Sequence, residues 1–262
     1  MTSAIQVHDV WKRFTRAGRT IDALQSISLT VEPQRFAAVL GPSGCGKSTL
    51  LNMVAGFDQP TSGQVLVNGA VIAGPSPTRG VVFQEPALFP WYTVLDNVTF
   101  GPKQQNRRAA EYIPLAEHYI EQVGLKGFAK HYPAELSGGM KQRVGLARVL
   151  IMQPEILLMD EPFGALDAQT RGLMQELLLT VWERLRQTVL FVTHDIEEAL
   201  LLADTIHVMT ARPGRVKRSL IVDFPRPRSL DLTASPEFNQ IKRQIRDLIR
   251  DEAIRAEHAA PD

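Results

Sequence analysis

The chain has 262 residues, and its 29 Lys and Arg against 28 Asp and Glu leave a net charge of +1. A hydrophobic fraction of 44% with 22% charged residues belongs to a folded globular chain and excludes a disordered or fibrous one, while the near-neutral balance argues against bulk nucleic-acid binding. The single cysteine, Cys45, excludes an intrachain disulfide framework and an all-cysteine metal site.

The opening, Met1-Thr2-Ser3-Ala4-Ile5-Gln6, lacks the charged and apolar regions of a signal peptide. No apolar run approaches the roughly 18–20 residues of a membrane-spanning helix, so the cytoplasm is the expected compartment. In chain order, short β runs come first. Phe36-Ala37-Ala38-Val39-Leu40 is a continuous apolar run stopping at Gly41, the pattern of a buried strand. Gln64-Val65-Leu66-Val67 runs into Asn68-Gly69, a hairpin-turn signal, and residues 80–83 form another strand. Residues 107–123 have helical spacing that Pro114 must kink or divide. Residues 140–152 read as a helix ended by Gln153-Pro154. Ile156-Leu157-Leu158-Met159 is a short apolar run, residues 174–185 an amphipathic helix, 188–193 a buried strand and 196–203 the helix after it. Strands alternating with helices predict a parallel sheet covered on both faces.

After about Ala211 the composition shifts to Arg212, Pro213, Gly214, Arg215, Lys217 and Arg218, and then to Pro225-Arg226-Pro227-Arg228. The basic stretch from Arg212 to Arg228 reads as a solvated surface, not as a lipid or nucleic-acid site. A last helix covers 237–252. Residues 211–262 are therefore expected to form an extension packed on the main domain, with a loose end after Ala259.

Three motifs carry chemistry. Gly41-Pro42-Ser43-Gly44-Cys45-Gly46-Lys47-Ser48 is a phosphate-binding loop, placed between a strand and the helix-forming run from Thr49. Its glycines let backbone N–H groups approach phosphate oxygens, and the helix N-terminus adds partial positive charge. Lys47 would reach the β- and γ-phosphates, and the Ser48 hydroxyl would bind Mg²⁺. Small residues are tolerated at Cys45, which is given no redox role. The second motif is the apolar run 156–159 ending in Asp160-Glu161. Two carboxylates at a core edge need a partner, and phosphate-bound Mg²⁺ supplies one. Asp160 would hold the ion directly or through water, and Glu161 would orient or deprotonate an attacking water. The third is Leu136-Ser137-Gly138-Gly139-Met140. Ser137 suits a helix N-cap, and the glycines leave N–H groups open to a second anion. Local physics leaves both readings, cap and phosphate contact, open.

Together these motifs resemble the nucleotide-binding subunit of an ATP-binding cassette (ABC) transporter, from about Ile5 to Arg250. The resemblance implies an α/β fold: a phosphate-loop ATPase core with a mixed sheet, an N-terminal antiparallel β part, a helical signature subdomain over about 86–153 and a short C-terminal extension. The ATPase domain would be 1–210 and the extension 211–262. Leu136–Gly139 matches the signature that separates this family from other phosphate-loop ATPases, although the family more often has Gln where Met140 stands. By the same resemblance, Gln84 is the Mg²⁺- and water-linked glutamine and His194 contacts the γ-phosphate. Asp167, in Gly164-Ala165-Leu166-Asp167, lies in the loop that crosses to the partner subunit, and Phe14 stacks on adenine, with Trp11 close by. ATP is then held by Phe14, by Gly41, Pro42, Ser43, Gly44, Cys45, Gly46, Lys47, Ser48 and Thr49, and by Ser137, Gly138, Gly139, Met140 and Asp167. Mg²⁺ is held by Ser48, Gln84 and Asp160. Glu161, His194, Gln84 and Lys47 act in hydrolysis.

The resemblance further implies a head-to-tail homodimer with two ATP molecules between subunits. It also implies two transmembrane permease subunits, a periplasmic or lipid-anchored substrate-binding protein, a place on the cytoplasmic face of the inner membrane, and no nucleic acid. The aromatics Phe89, Trp91 and Tyr92 among prolines suit either a satellite core cluster or the groove that receives the permease. Arg79–Gln84, Phe89-Pro90-Trp91, residues 162–167 and 193–199, Ala211-Arg-Pro-Gly-Arg215 and Arg226-Pro-Arg228 are together similar to the nitrate/sulfonate/taurine importer group, with the taurine or alkanesulfonate branch preferred over nitrate. Rival readings are a soluble ABC ATPase, which usually has two cassettes or a long coiled-coil insertion, and a separate-subunit exporter. A small-molecule phosphotransferase has no use for Leu136–Gly139.

Overall fold

The computed structural model describes residues 4–16 and 18–258; the opening Met1–Ser3 and the expected loose end after Ala259 lie outside them. In chain order the elements are β1 (Ile5–Arg16), β2 (Arg19–Val31), β3 (Phe36–Leu40), α1 (Lys47–Ala55), β4 (Ser62–Val67), β5 (Ala70–Val71), β6 (Arg79–Val82), α2 (Val94–Gln104), α3 (Ala109–Gln122), α4 (Gly138–Leu150), β7 (Ile156–Asp160), α5 (Ala168–Leu185), β8 (Thr188–Thr193), α6 (Ile196–Leu202), β9 (Thr205–Met209), β10 (Val216–Ile221) and α7 (Pro236–His258). They fall into two compact units, Met1–Ser76 with Arg186–Asp262 and Pro77–Leu185.

The first unit holds an antiparallel sheet of order β2-β1-β4-β5. Here the strands are long, not short: β1 and β2 pair over most of their length, with register shifts between Val7 and Val10 and up to Arg13. The shifts coincide with positive φ at Asp9 (43°) and Ser26 (51°), whose side chains bond each other at 2.5 Å. Such a bulge twists the pair and hides the alternation that would mark it in sequence. In the same unit β3 is entirely buried and pairs parallel with both β8 and β9, while β10 adds antiparallel to β9. A strand buried on both faces reads as a continuous apolar run, which is why Phe36–Leu40 and Thr188–Thr193 were legible.

The 211–262 region supplies β10 and α7. Phe238 of α7 is fully buried and stacks on Phe224, with ring centroids 5.9 Å apart. The expectation of a solvated basic surface is corrected at two positions. Arg228 is 6% exposed and donates to the carbonyls of Leu200, Leu201, Ala203, Val222 and Phe224. Arg226 donates to Leu202 O at 2.7 Å and pairs with Asp204 at 2.8 Å. The last carbonyls of a helix lack intrahelical donors, and these two arginines supply them at the end of α6.

In the second unit β6 and β7 pair parallel, and α4 and α5 supply apolar side chains beside them. Pro114 stays inside α3, which runs unbroken from Ala109 to Gln122. Helix α5 begins at Ala168, ahead of the expected 174. Helix α2 has no counterpart in the sequence reading, because Asp96, Asn97, Gly101 and Pro102 interrupt its apolar spacing. Among the described residues no helix is long and apolar enough to cross a membrane.

Candidate nucleotide-binding site

The phosphate loop lies in the first unit. Leu40 is in register with Thr193, so Gly41 and His194 leave neighbouring parallel strands one residue later. The loop turns into α1 at Gly46, whose φ of 101° is in the left-handed region. A β-carbon there would also stand 2.5 Å from Leu24 Cδ2, so only glycine fits. Lys47 is 4% exposed, and its Nζ donates to the carbonyls of Gly41 at 3.0 Å and Pro42 at 3.1 Å. The ammonium is thereby held over the loop that carries it. Ser43, Gly44 and Ser48 are exposed, Pro42 and Thr49 half-buried, and Cys45 is a buried thiol.

His194 is exposed at the β8–α6 junction. Around it, Thr193 Oγ1 donates to Glu198 at 2.7 Å and accepts from the Asp195 N–H at 3.0 Å. Asp195 caps α6 by accepting from the N–H groups of Glu197 and Glu198. This fixes the backbone on both sides of the imidazole. The Phe14 ring is 43% exposed, with Lys12 Nζ 4.9 Å from its centroid; Lys12 in turn pairs with Asp58 at 2.5 Å.

The second unit holds the carboxylates and the signature. Val82 is in register with Met159, and Gln84 and Glu161 each lie two positions beyond that pair. They meet at Gly164: a β-carbon built there would lie 3.7 Å from Gln84 Nε2 and 3.9 Å from Glu161 Cβ. Glu161 has φ 43°, a backbone conformation that side chains rarely adopt. Asp160, at the end of β7, is half-buried. Buried Gln142 of α4 donates to Phe83 O at 3.2 Å, fixing the residue before Gln84.

Ser137 caps α4, its Oγ accepting from the Met140 N–H at 3.3 Å. Ser137 and Gly138 are exposed, and nothing lies within 4 Å of a β-carbon on Gly138. Gly139 is buried against Thr170, and Met140 is half-buried. Asp167 accepts from the Thr170 N–H at 3.0 Å at the start of α5; the Thr170 N–H first, then its hydroxyl, hold the carboxyl below its ordinary pKa. The site residues therefore divide as follows: Phe14, residues 41–49 and His194 belong to the first unit, and Gln84, residues 137–140, Asp160, Glu161 and Asp167 to the second.

The aromatic segment is also in the second unit. Phe89 packs on Phe100 at 4.6 Å and on Tyr92 at 5.5 Å, while Trp91 is 67% exposed. The cluster reading is thus realised in part, with the Trp91 ring left in solvent. The turn is latched by Asn97, fully buried, which donates to Phe89 O, Tyr92 O and Thr93 O and accepts from the Phe89 N–H. Arg148 donates to Pro86 O at 2.6 Å and Ala87 O at 2.9 Å, and burial lowers its pKa. Sequence reasoning missed both residues, along with Arg212, whose Nε and Nη2 donate to Gly44 O of the phosphate loop at 3.3 and 3.2 Å, 168 positions away. No local pattern points so far along a chain.

Comparison with known proteins adds the following. Residues 24–164 match the family model described as ABC transporter. The chain is 43% identical over 252 residues to a nitrate import ATP-binding protein of Synechocystis, covering 94% of this chain and 95% of the relative. It is 44% identical over 239 residues to a taurine import ATP-binding protein of Jannaschia, 89% of each chain. An aliphatic sulfonates import ATP-binding protein of Bacillus cereus is 42% identical over 241 residues, 92% of this chain and 94% of that one. Among solved structures, a dimeric post-hydrolysis state of an ATP-binding cassette bound to ADP and Pi superposes with a TM-score of 0.75 at 32% identity, covering 84% of this chain and all of that one.

Proposed function

The chain belongs to the ABC transporter family of ATPases, and we propose that it is the ATP-hydrolysing subunit of a membrane importer for small anions of the taurine or alkanesulfonate type. In this reading two copies assemble head to tail on the cytoplasmic face of the inner membrane. They serve two permease subunits and a binding protein outside. The observation that carries the coupling role is Trp91, held in solvent on a turn that Asn97 makes rigid. A preorganised exposed aromatic is the kind of anchor that a helix of another chain can bury.

The proposed chemistry follows from the side chains. Backbone N–H groups of 43–49 and the Lys47 ammonium bind the phosphates, and Phe14 offers a ring to the adenine. Ser48, Gln84 and Asp160 are all oxygen donors, the set Mg²⁺ prefers alongside phosphate oxygens. Those three residues would hold the ion, which when bound would neutralise charge on the phosphates. Glu161 accepts a proton from the attacking water, and His194 donates to the γ-phosphate. The exposed Ser137 and Gly138 offer an N-capped helix start to the ATP of the partner copy, with Asp167 at the same face. Closing and reopening of that dimer with ATP and ADP would be the switch that the permease reads.

The identities to the taurine and nitrate relatives, 44% and 43%, do not separate the two substrates, so growth decides. Cells of the source organism carrying only Glu161→Gln should fail on taurine or an alkanesulfonate as sole sulfur source and recover on sulfate. Failure only on nitrate as sole nitrogen source would move the protein to the nitrate branch. Normal growth on both would remove the substrate assignment.

A further inference from the structure

We propose that the 210–217 segment is a backing for the phosphate loop, with Arg212 as a positioning residue for nucleotide binding and buried Glu252 of α7 as its anchor. This rests on the reading of residues 41–49 as the phosphate site. Two contacts reach successive peptide units of the loop. Arg212 donates through Nε and Nη2 to Gly44 O. The Gly44 carbonyl and the Cys45 N–H share one planar peptide and point in opposite directions. Holding the carbonyl outward therefore turns the N–H inward, toward Pro42 O at 3.4 Å. The next carbonyl, Cys45 O, lies against Gly214; a β-carbon on Gly214 would stand 2.1 Å from it and 2.7 Å from Met209 Cε. The absence of a side chain at Gly214 is what lets the two backbones touch.

The backing is itself fixed at three places. Gly214 bonds β2 in both directions, donating to Ala23 O and accepting from the Gln25 N–H, each at 2.9 Å. Thr210 closes the turn, its N–H donating to Arg215 O at 2.9 Å and its hydroxyl accepting from the Arg215 N–H at 3.0 Å. Glu252, 2% exposed, accepts from the Ala211 N–H at 3.2 Å and from Lys217 Nζ at 2.8 Å, while Lys217 also donates to Leu248 O. The residue next to Arg212 is thus tied to the C-terminal helix. A displacement of α7 that released Glu252 would free Ala211, loosen Arg212 and let the Gly44–Cys45 peptide rotate. The extension thereby gains a route to the affinity of the loop without touching nucleotide.

The test uses the purified full chain with Mg·ATP and ADP as probes, reading dissociation constants, KM, kcat and melting temperature for R212A, R212K, G214A and K47A. Arg212 is exposed, so R212A should fold. The expected result is nucleotide binding about fivefold weaker in R212A, with KM rising more than kcat falls and the melting temperature unchanged. R212K should recover much of the loss, since one ammonium can serve the single acceptor, and G214A should lose about tenfold. Binding by R212A within about twofold of wild type would overturn the proposal. So would a loss that tracks a lower melting temperature and that R212K does not restore. If K47A also binds normally, the phosphate-loop reading itself has failed, which is a different result from failure of the backing alone.

Discussion

The phosphate loop and the signature stretch both present backbone N–H groups at the start of a helix, yet they are built in opposite ways. The loop is held by distant partners: Leu24 packs beneath Gly46, Met209 and Gly214 lie against its backbone, and Arg212 holds a carbonyl. The signature is held by near neighbours, with Ser137 Oγ accepting from the Met140 N–H and Ser137 O from the Lys141 N–H, and its first glycine is open on the side where a β-carbon would stand. A site finished by its own chain needs rigid backing, whereas a surface meant for another chain needs only a cap and clear access. The contrast fits the proposed head-to-tail pair, in which each copy would supply one finished half and one presented half.

The largest test of that division is Glu161→Gln, which preserves size and removes the proposed base. Steady-state ATPase should fall by about 100-fold or more with ATP binding retained; a near-normal rate would remove Glu161 from the chemistry. The finished half has its own vulnerability to acid. His207 lies on β9 opposite Val39 of β3, bonded to Ser219 at 2.8 Å, and burial pushes its pKa down to about 4. Because the unfolded chain takes up a proton near pH 6.5 and the folded one does not until about 4, stability is present above 6.5 and is lost as pH falls between the two. The loss should approach about 3 kcal/mol by pH 4, measured by denaturant melts, and His207→Asn should flatten that slope.

Lys47→Ala removes a charge held by two carbonyls and should weaken ATP binding more than about tenfold by fluorescence titration. The smallest effect is at the presented half. Ser137→Ala should cost about 1 kcal/mol of stability through the lost cap, read as a lower denaturant midpoint. It should leave ADP binding by the isolated chain unchanged; weaker ADP binding there would mean that the signature serves its own chain's nucleotide.

What could be read from the sequence was what is written locally. Leu40-Gly41 through Ser48, the apolar run into Asp160-Glu161 and the cap at Ser137 each carry their meaning within a few residues. Strands β3, β7 and β8 were legible because burial on both faces leaves an unbroken apolar run. Arg228 was not, since an arginine among prolines has the composition of a surface, and its burial is explained by the carbonyls at the end of α6 together with those of Val222 and Phe224. Asn97 inside a helix likewise reads as a weak helix former until the four bonds it makes to the preceding turn are seen. The signal for Gln84 was its family position alone; its approach to Glu161 needed the register of β6 on β7.

Cys45 offers a practical consequence. It is the only thiol in the chain, it is fully buried, and its Sγ lies 3.0 Å from where a β-carbon on Gly41 would stand. An alkylating reagent therefore reacts only when the loop opens, so the labelling rate clocks the breathing of the nucleotide cradle itself, and a cysteine placed elsewhere on the surface can carry a dye without the native one being removed.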